Sequence, residues 1–434
     1  MSFKIRSPVS RKHVAVVHNR LAAVAGAITL GLAAMFIARL GDVAQKMFLS
    51  LVAVSPYAPF VVTPLVFAGV VHVTIQSFPT ARGSGIPQVM AAIQHPEHQN
   101  NGDLLSLRTA WAKLAGTIAM LLVGGSVGRE GPTVQISAAL MVAVNRWMKV
   151  PITSGVIIAG GAAGVAAAFN TPLAGVAFAI EELASAFEQK VAVMVMLTVM
   201  IAGLVSLSLS GDYVYFGVID GVMPVRTMLI VSPIAGVLGG VFGGLFARSL
   251  IAMTRLGSGW RLRLKAHPVL FAAACGLIVA IMGWSTNGLT WGTGYETTRL
   301  LLTGQTPPMI FGPAKFIASL ATALSGAPGG IFAPALAVGA GLGQMISGFF
   351  PASATGAIVL LGVAGYFTGV VRAPMTAVII VMEMTADRTM ILPLFATALI
   401  ADAVSALICR HKLYHALSLP FRVSRTPKSK GIAA

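Results

Sequence analysis

The segment GGSVGREGPTVQ, residues 124–135, places an acid inside one of the most apolar stretches of the chain. Pro132 suits the first turn of a helix, where a missing N–H leaves no hydrogen bond unmade. The residues before it then present unpaired N–H groups at the positive end of a helix dipole, which attracts anions. We therefore predict that Glu130 lies beside an anion site built from backbone amides.

Glu130 is expected to exchange a proton, because an ionised carboxylate is unfavourable in a membrane interior. Deprotonated, the carboxylate would occupy the anion site itself; protonated, it would swing away and admit the anion. One side chain would then couple protons to anions by mutual exclusion. The simpler alternative is an ion pair between Arg129 and Glu130, or a charge pairing with the helix N-terminus.

The same arrangement of glycine and proline occurs a second time in the chain. Gly128 and Pro132 of GREGP are matched, 202 positions later, by Gly330 and Pro334 of GIFAP. Further pairs follow in the same order: Pro172 with Pro374 and Glu181 with Glu383 at 202 positions, and Gly83-Ser-Gly85 with Gly292-Thr-Gly294 at 209 positions. Such an ordered set is typical of transporters with duplicated halves.

We predict four regions from this pattern and from the charges: a basic arm, 1–20; a first transmembrane repeat, 21–218; a second transmembrane repeat, 219–418; and a basic tail, 419–434. The residues alone leave open whether the repeats are parallel or inverted. Only an odd number of crossings in each repeat would require inversion.

The composition excludes a soluble globular protein. Of 434 residues, 56% are hydrophobic and 10% charged, and the mean hydropathy is +0.85. Windows without charge, which predict about ten or more helical segments, are 47–81, 150–180, 191–211, 227–247, 266–295 and 316–371. Clusters of Gly and Pro in apolar segments predict broken, re-entrant half-helices that meet inside the membrane, although small residues also serve close helix packing. These clusters are 83–87, 124–132, 159–175 and 326–334.

The net charge of +17 does not indicate a nucleic-acid partner, because the sequence lacks aromatic residues interleaved with the basic ones for base stacking. Both tails are basic and contain no acid. The positive-inside rule therefore predicts a multi-pass membrane protein with both termini in the cytoplasm and an even number of crossings.

Two further acids, Glu181 and Glu182, follow Pro172 in an apolar segment. Adjacent side chains on a helix point about 100° apart, so the two are expected to have different tasks. Glu181 matches Glu383 in the second repeat, which suggests a shared structural role. Glu182 matches Met384, so this acid without a counterpart is the better functional candidate and is expected to face water.

A membrane enzyme is the alternative from another functional class. Its support is His95, Glu97 and His98 in HPEHQNNGD, which are residue types that bind metals. Pro96 interrupts any helix there and no third ligand is evident. We therefore expect a solvated loop, no bound metal or cofactor, and no enzymatic activity.

These segments resemble the CLC family of chloride channels and chloride/proton exchangers. The resemblance runs from GSGIPQ through GREGPTVQ, AAAFNTPLAGVAFAIEE and SGAPGGIFAPALAVG to RAPMTAVIIVMEMT. It implies an all-α membrane protein of two inverted helical repeats that works as a homodimer, with a separate ion path in each subunit. It also implies a prokaryotic type without C-terminal regulatory modules, in a bacterial inner membrane.

The resemblance assigns roles to individual residues. Glu130 is similar to the gating glutamate, and Glu182 to a second, cytoplasm-facing proton glutamate that exchangers often carry. The residues similar to the chloride-binding set are Ser84, Gly128, Arg129, Gly131, Ile331, Phe332 and Tyr414. Tyr414, in HKLYHAL, is also open to a second interpretation as an aromatic anchor at the membrane interface.

The expected function is the exchange of chloride for protons across the membrane. Chloride is then a bound substrate, and the lipid bilayer is the surrounding partner. The alternative is a passive chloride channel of the same fold, gated by voltage or pH.

Overall fold

The computed structural model describes residues 8–94, 96, 101–183, 189–210, 216–217, 224–254, 264, 266–385, 387 and 389–422. The described chain is helical, and its α-helices are α1 (Pro8–Val54), α2 (Pro59–Ser77), α3 (Ile86–Gln94), α4 (Asn101–Leu104), α5 (Leu107–Leu121), α6 (Glu130–Trp147), α7 (Ser154–Phe169), α8 (Pro172–Phe178), α9 (Gln189–Ser210), α10 (Val225–Thr254), α11 (Pro268–Ser285), α12 (Tyr295–Leu302), α13 (Phe311–Ser325), α14 (Phe332–Ser347), α15 (Thr355–Val371), α16 (Pro374–Thr385), α17 (Ile391–Ile408) and α18 (Leu413–Ser418). A π-helical turn, Ala179–Leu183, continues α8.

Seven helical segments in the described ranges are long and apolar enough to cross a membrane; they lie in α1, α2, α9, α10, α11, α15 and α17. Three further apolar helices, α7, α14 and α16, are shorter. Many large apolar side chains on the long helices point outward, as lipid contact requires. The chain is therefore an integral, multi-pass membrane protein, and its short helices agree with the predicted half-helices.

The breaks before two of the short helices are equivalent in the two repeats. Asn170 follows α7 and Arg372 follows α15 as C-cap residues, and both adopt the left-handed conformation, with φ of 57° and 60°. Pro172 and Pro374 then stand in the first turn of α8 and α16, as predicted. The predicted boundary near residue 218 lies outside the described residues.

Not every glycine cluster breaks a helix. Gly160 and Gly164 lie inside the uninterrupted helix α7 and contact α6, where an added Cβ on Gly160 would lie 3.0 Å from Ala138 Cα. In this part of the 159–175 cluster, close helix packing is the correct interpretation. The same holds for α10 and α15, where a Cβ on Gly239 or Gly243 would collide with the backbone of the other helix.

Glu181 connects the first repeat to the second. Its carboxylate accepts the N–H groups of Met375 and Thr376 at 3.1 and 2.7 Å, and the Thr376 hydroxyl at 2.8 Å. Both residues belong to the first turn of α16, whose N–H groups have no partner within the helix. The acid of the first repeat therefore caps a helix of the second.

Glu383 makes the reverse connection. Its carboxylate accepts the N–H groups of Leu173 and Ala174 in the first turn of α8, at 3.1 and 2.8 Å. Helices α8 and α16 thus cap each other through equivalent acids, the reciprocal arrangement expected of two repeats related by a two-fold axis. The shared structural role predicted for Glu181 and Glu383 is confirmed.

We predict that Glu383→Gln lowers the free energy of unfolding by about 1 to 2 kcal/mol, because a charged acceptor of two N–H groups becomes neutral. Glu181→Gln should lower it further, because this acid accepts three donors. Chemical or thermal unfolding in detergent measures both. Glu296→Gln is the matched control, since Glu296 is exposed; an equal loss in that control would contradict the prediction.

Candidate functional site

The starts of two helices meet at the centre of the molecule. Gly128 N donates to Gly330 O at 2.7 Å, and Gly330 N donates to Gly128 O at 2.8 Å, which forms a short antiparallel bridge between the repeats. Two residues beyond each glycine, α6 begins at Glu130 and α14 at Phe332. The predicted convergence of helix N-termini is confirmed.

We call the N–H groups at these two starts, residues 129–131 and 331–333, the amide site. First-turn N–H groups lack intrahelical partners, so they remain available to a negative charge. Gly128 differs from its predicted role as a part of the chloride-binding backbone. Its N–H is already donated to Gly330 O, and it therefore contributes the bridge rather than a donor.

The carboxylate of Glu130 lies at the amide site. The residue is fully buried, and its Oε2 accepts the Ala333 N–H of α14 at 3.4 Å. A Cβ on Gly128 would collide with the same oxygen, so glycine is needed for this approach. Oε1 accepts the hydroxyl of Tyr295 at 2.6 Å. A carboxyl group thus occupies the position that the sequence predicts for an anion.

Arg129 does not pair with Glu130, so the ion-pair form of the simpler alternative is wrong. Its guanidinium Nη1 lies 2.8 Å from Asp42 Oδ1 and donates to Ala38 O, both in α1. The side chain therefore fastens the start of α6 to α1. Only the backbone of Arg129 remains at the amide site.

Ser84 and Tyr414 lie next to each other beside the amide site. Ser84 Oγ lies against Gly131, where an added Cβ would collide with it. The Tyr414 ring is fully buried, 6.0 Å from that of Phe332, which contradicts an interfacial anchor. Ser84 is close enough to the Tyr414 hydroxyl to interact with it, yet neither hydroxyl has a partner at full hydrogen-bond distance and angle among the described residues. Two unsatisfied buried hydroxyls side by side indicate a polar ligand.

A cavity of about 520 Å³ reaches this pair of hydroxyls. It runs from Ser84, Ile331 and Tyr414 to Pro420 and Phe421 near the end of the described chain. Ile331 lines the cavity as a chloride-binding residue should.

The ring of Phe332 points away from the cavity into the apolar core, against Phe169, Phe178 and Phe367. Its side chain anchors the start of α14. The residue therefore contributes to the amide site through its backbone.

Glu182 is buried rather than water-facing, which corrects the prediction. It is 6% exposed, and neither carboxylate oxygen has a hydrogen-bond partner among the described residues. Its charged neighbours are Lys412 and Glu181. A carboxylate without hydrogen bonds is more stable protonated than ionised at such a position, so Glu182 is suited to carry a proton.

Sequence reasoning missed two buried lysines. Lys113 Nζ donates to Arg82 O and Gly83 O at 3.2 and 2.7 Å, and Lys315 Nζ donates to Thr290 O and Gly292 O at 2.9 and 2.8 Å. Each lysine thereby fixes one of the two Gly-x-Gly turns. Their spacing of 202 positions, the spacing of the repeat, was the signal that could have found them.

The metal site considered as the alternative stays untested. His95, Glu97 and His98 lie outside the described residues. Within the part of the chain that the structure describes, no group of three or more metal-binding side chains occurs.

We predict that Gly131→Ala weakens halide binding by about tenfold, because the added Cβ would collide with the hydroxyl and the backbone oxygen of Ser84. Titration calorimetry with chloride or bromide in detergent measures the affinity. Gly69→Ala in α2 is the matched control, since a Cβ there meets no atom within 4 Å. Unchanged affinity in Gly131→Ala would argue against a halide at this site.

Comparisons with known proteins agree with this architecture. The chain is 31% identical over 447 residues to the H(+)/Cl(-) exchange transporter ClcA of Yersinia pestis, covering 95% of this chain and 89% of the relative. A second relative of that name, from Vibrio campbellii, is 32% identical over 373 residues. The match covers 78% of this chain and 74% of the length of the relative.

Solved structures share the fold. A slow cyanobacterial Cl-/H+ antiporter has a TM-score of 0.77 at 24% identity and covers 92% of this chain and 96% of its own. A CLC-type fluoride/proton antiporter has a TM-score of 0.76 at 21% identity, over 95% and 99%. The profile of the voltage gated chloride channel family matches residues 65–406. The chain therefore belongs to the voltage gated chloride channel, or CLC, family.

Proposed function

We propose that the protein is a secondary active transporter that exchanges chloride for protons. One observation carries the proposal: the Glu130 carboxylate lies on the amide site, where it and an anion exclude each other. Relatives at about one third identity are named H(+)/Cl(-) exchange transporters, which supports exchange rather than passive conduction.

The chloride path follows the cavity. Chloride enters from the end near Phe421 and meets the hydroxyls of Ser84 and Tyr414, which can turn their hydrogens toward it. It then reaches the amide site, where partial charges bind it without the tight hold of a fixed cation. The last step requires the Glu130 carboxylate to leave that site.

The proton path joins the two unmatched acids. Glu182 takes a proton from the cytoplasmic side, and Glu130 receives it and departs from the amide site as a neutral acid. Tyr414 has both acids as electrostatic neighbours. The coupling follows because Glu130 cannot bind its proton and keep the position that chloride needs.

We also propose that the protein works as a homodimer in a bacterial inner membrane, with both termini in the cytoplasm. The basic, acid-free tails support this orientation. Helices α8 and α17 present large exposed apolar side chains, such as Leu173, Leu392 and Leu407, that lipid or a second subunit can cover.

We predict that Glu130→Gln abolishes proton coupling while chloride still flows, because the neutral amide neither carries a proton nor competes with chloride as an anion. Reversal potentials in liposomes, measured across opposed chloride and pH gradients, test this. The reversal potential of the wild type should respond to both gradients, whereas that of the variant should respond to the chloride gradient alone. A wild type that ignores the pH gradient would instead be a passive channel, the alternative function.

We predict that Glu182→Gln also reduces proton flux to background and leaves chloride flux measurable, because Glu130 is intact but no longer receives protons. Paired chloride and pH electrodes on the same liposomes report both fluxes. The neighbouring Glu181→Gln is the control, and it should weaken the fold without uncoupling transport. Uncoupling in Glu181→Gln with none in Glu182→Gln would reverse the assignment.

A further inference from the structure

We infer that Tyr295 is a positioning residue that holds the carboxylate of Glu130 on the amide site. The inference rests on the proposed function of Glu130. Its basis is the hydrogen bond of 2.6 Å from the Tyr295 hydroxyl to Glu130 Oε1. Among the described residues, this bond is shorter than the one that the same carboxylate accepts from Ala333 N, which measures 3.4 Å.

The phenol reaches Glu130 from the other repeat. Tyr295 is the first residue of α12, directly after Gly294, whose φ of 86° is a conformation that glycine adopts without strain. Lys315 fixes the turn before it by binding the carbonyl of Gly292. The ring of Phe216 packs against that of Tyr295, with centroids 6.0 Å apart. The hydroxyl is thus held by a constrained turn rather than by a mobile loop.

The repeat shows that this pair is not a by-product of the duplicated fold. The positions equivalent to Tyr295 and Glu130 are Ile86, 209 positions earlier, and Phe332, 202 positions later. Both equivalents are fully buried members of the apolar core. The acid and its hydrogen-bond donor are therefore matched, at the equivalent positions of the repeat, by two apolar residues.

A donor at this point favours the carboxylate on the amide site over the carboxylate away from it. Hydrogen bonds to charged groups commonly change such an equilibrium by about tenfold or more. Tyr295 would then set how strongly Glu130 competes with chloride. Its loss should therefore tighten chloride binding, whereas general damage to the site would weaken it.

The test is chloride affinity and coupling ratio in Tyr295→Phe, which keeps the ring and removes the donor. We expect chloride to bind about tenfold more tightly and fewer protons to move per chloride. The same substitution in a Glu130→Gln background should leave chloride affinity unchanged. Tyr366→Phe is the matched control, because Tyr366 is fully buried and its hydroxyl has no hydrogen-bond partner among the described residues.

Weaker or unchanged chloride binding in Tyr295→Phe, or an equal change in both backgrounds, would overturn the inference.

If Tyr295→Phe does not fold, site-specific 3-fluorotyrosine at this position replaces it. The more acidic phenol is a stronger donor, so chloride should bind more weakly, and unchanged binding would overturn the inference. Proton coupling that survives in Glu130→Gln alone would instead contradict the proposed function, so the two failures are distinguishable.

Discussion

The site depends on two hydrogen bonds between backbones. The N–H and C=O groups of Gly128 and Gly330 bind each other, which brings the starts of α6 and α14 together across the repeat interface. The bridge leaves no room for side chains, because a Cβ on Gly330 would lie 2.9 Å from Gly128 O. Every later feature follows from this contact: the convergence of N–H groups, the position of Glu130, and the closeness of Ser84 to Gly131.

Three positive side chains around the site act on carbonyl groups and on an acid of another helix. Lys113 and Lys315 donate to the carbonyls of the two Gly-x-Gly turns, and Arg129 pairs with Asp42. Buried ammonium groups are costly unless their hydrogens are bound, and these carbonyls bind them. With these three cations engaged, helix N-termini and hydroxyls supply partial charges at the amide site, and partial charges allow an anion to bind and leave.

The sequence was sufficient to predict the repeats, the half-helices and the meeting of their N-termini, because glycine, proline and acid recur at a fixed spacing. It was insufficient for contacts between distant segments. The alternative ion pair between Arg129 and Glu130 was wrong, because the actual partner of Arg129 is Asp42, which lies far away in the chain, on α1. Glu182 is buried because of tertiary packing, which periodicity does not report. Tyr295 was missed because its role appears only once Glu130 is seen opposite it.

The mutual capping of α8 and α16 also couples movements of the two repeats. Glu181 is bonded to the first turn of α16, and the next residue along the chain is Glu182. If one repeat tilted relative to the other, the hydrogen bonds between α16 and Glu181 would displace Glu181. That displacement would reach Glu182 through a single peptide linkage, so any rocking of the halves would be transmitted directly to the start of the proposed proton path.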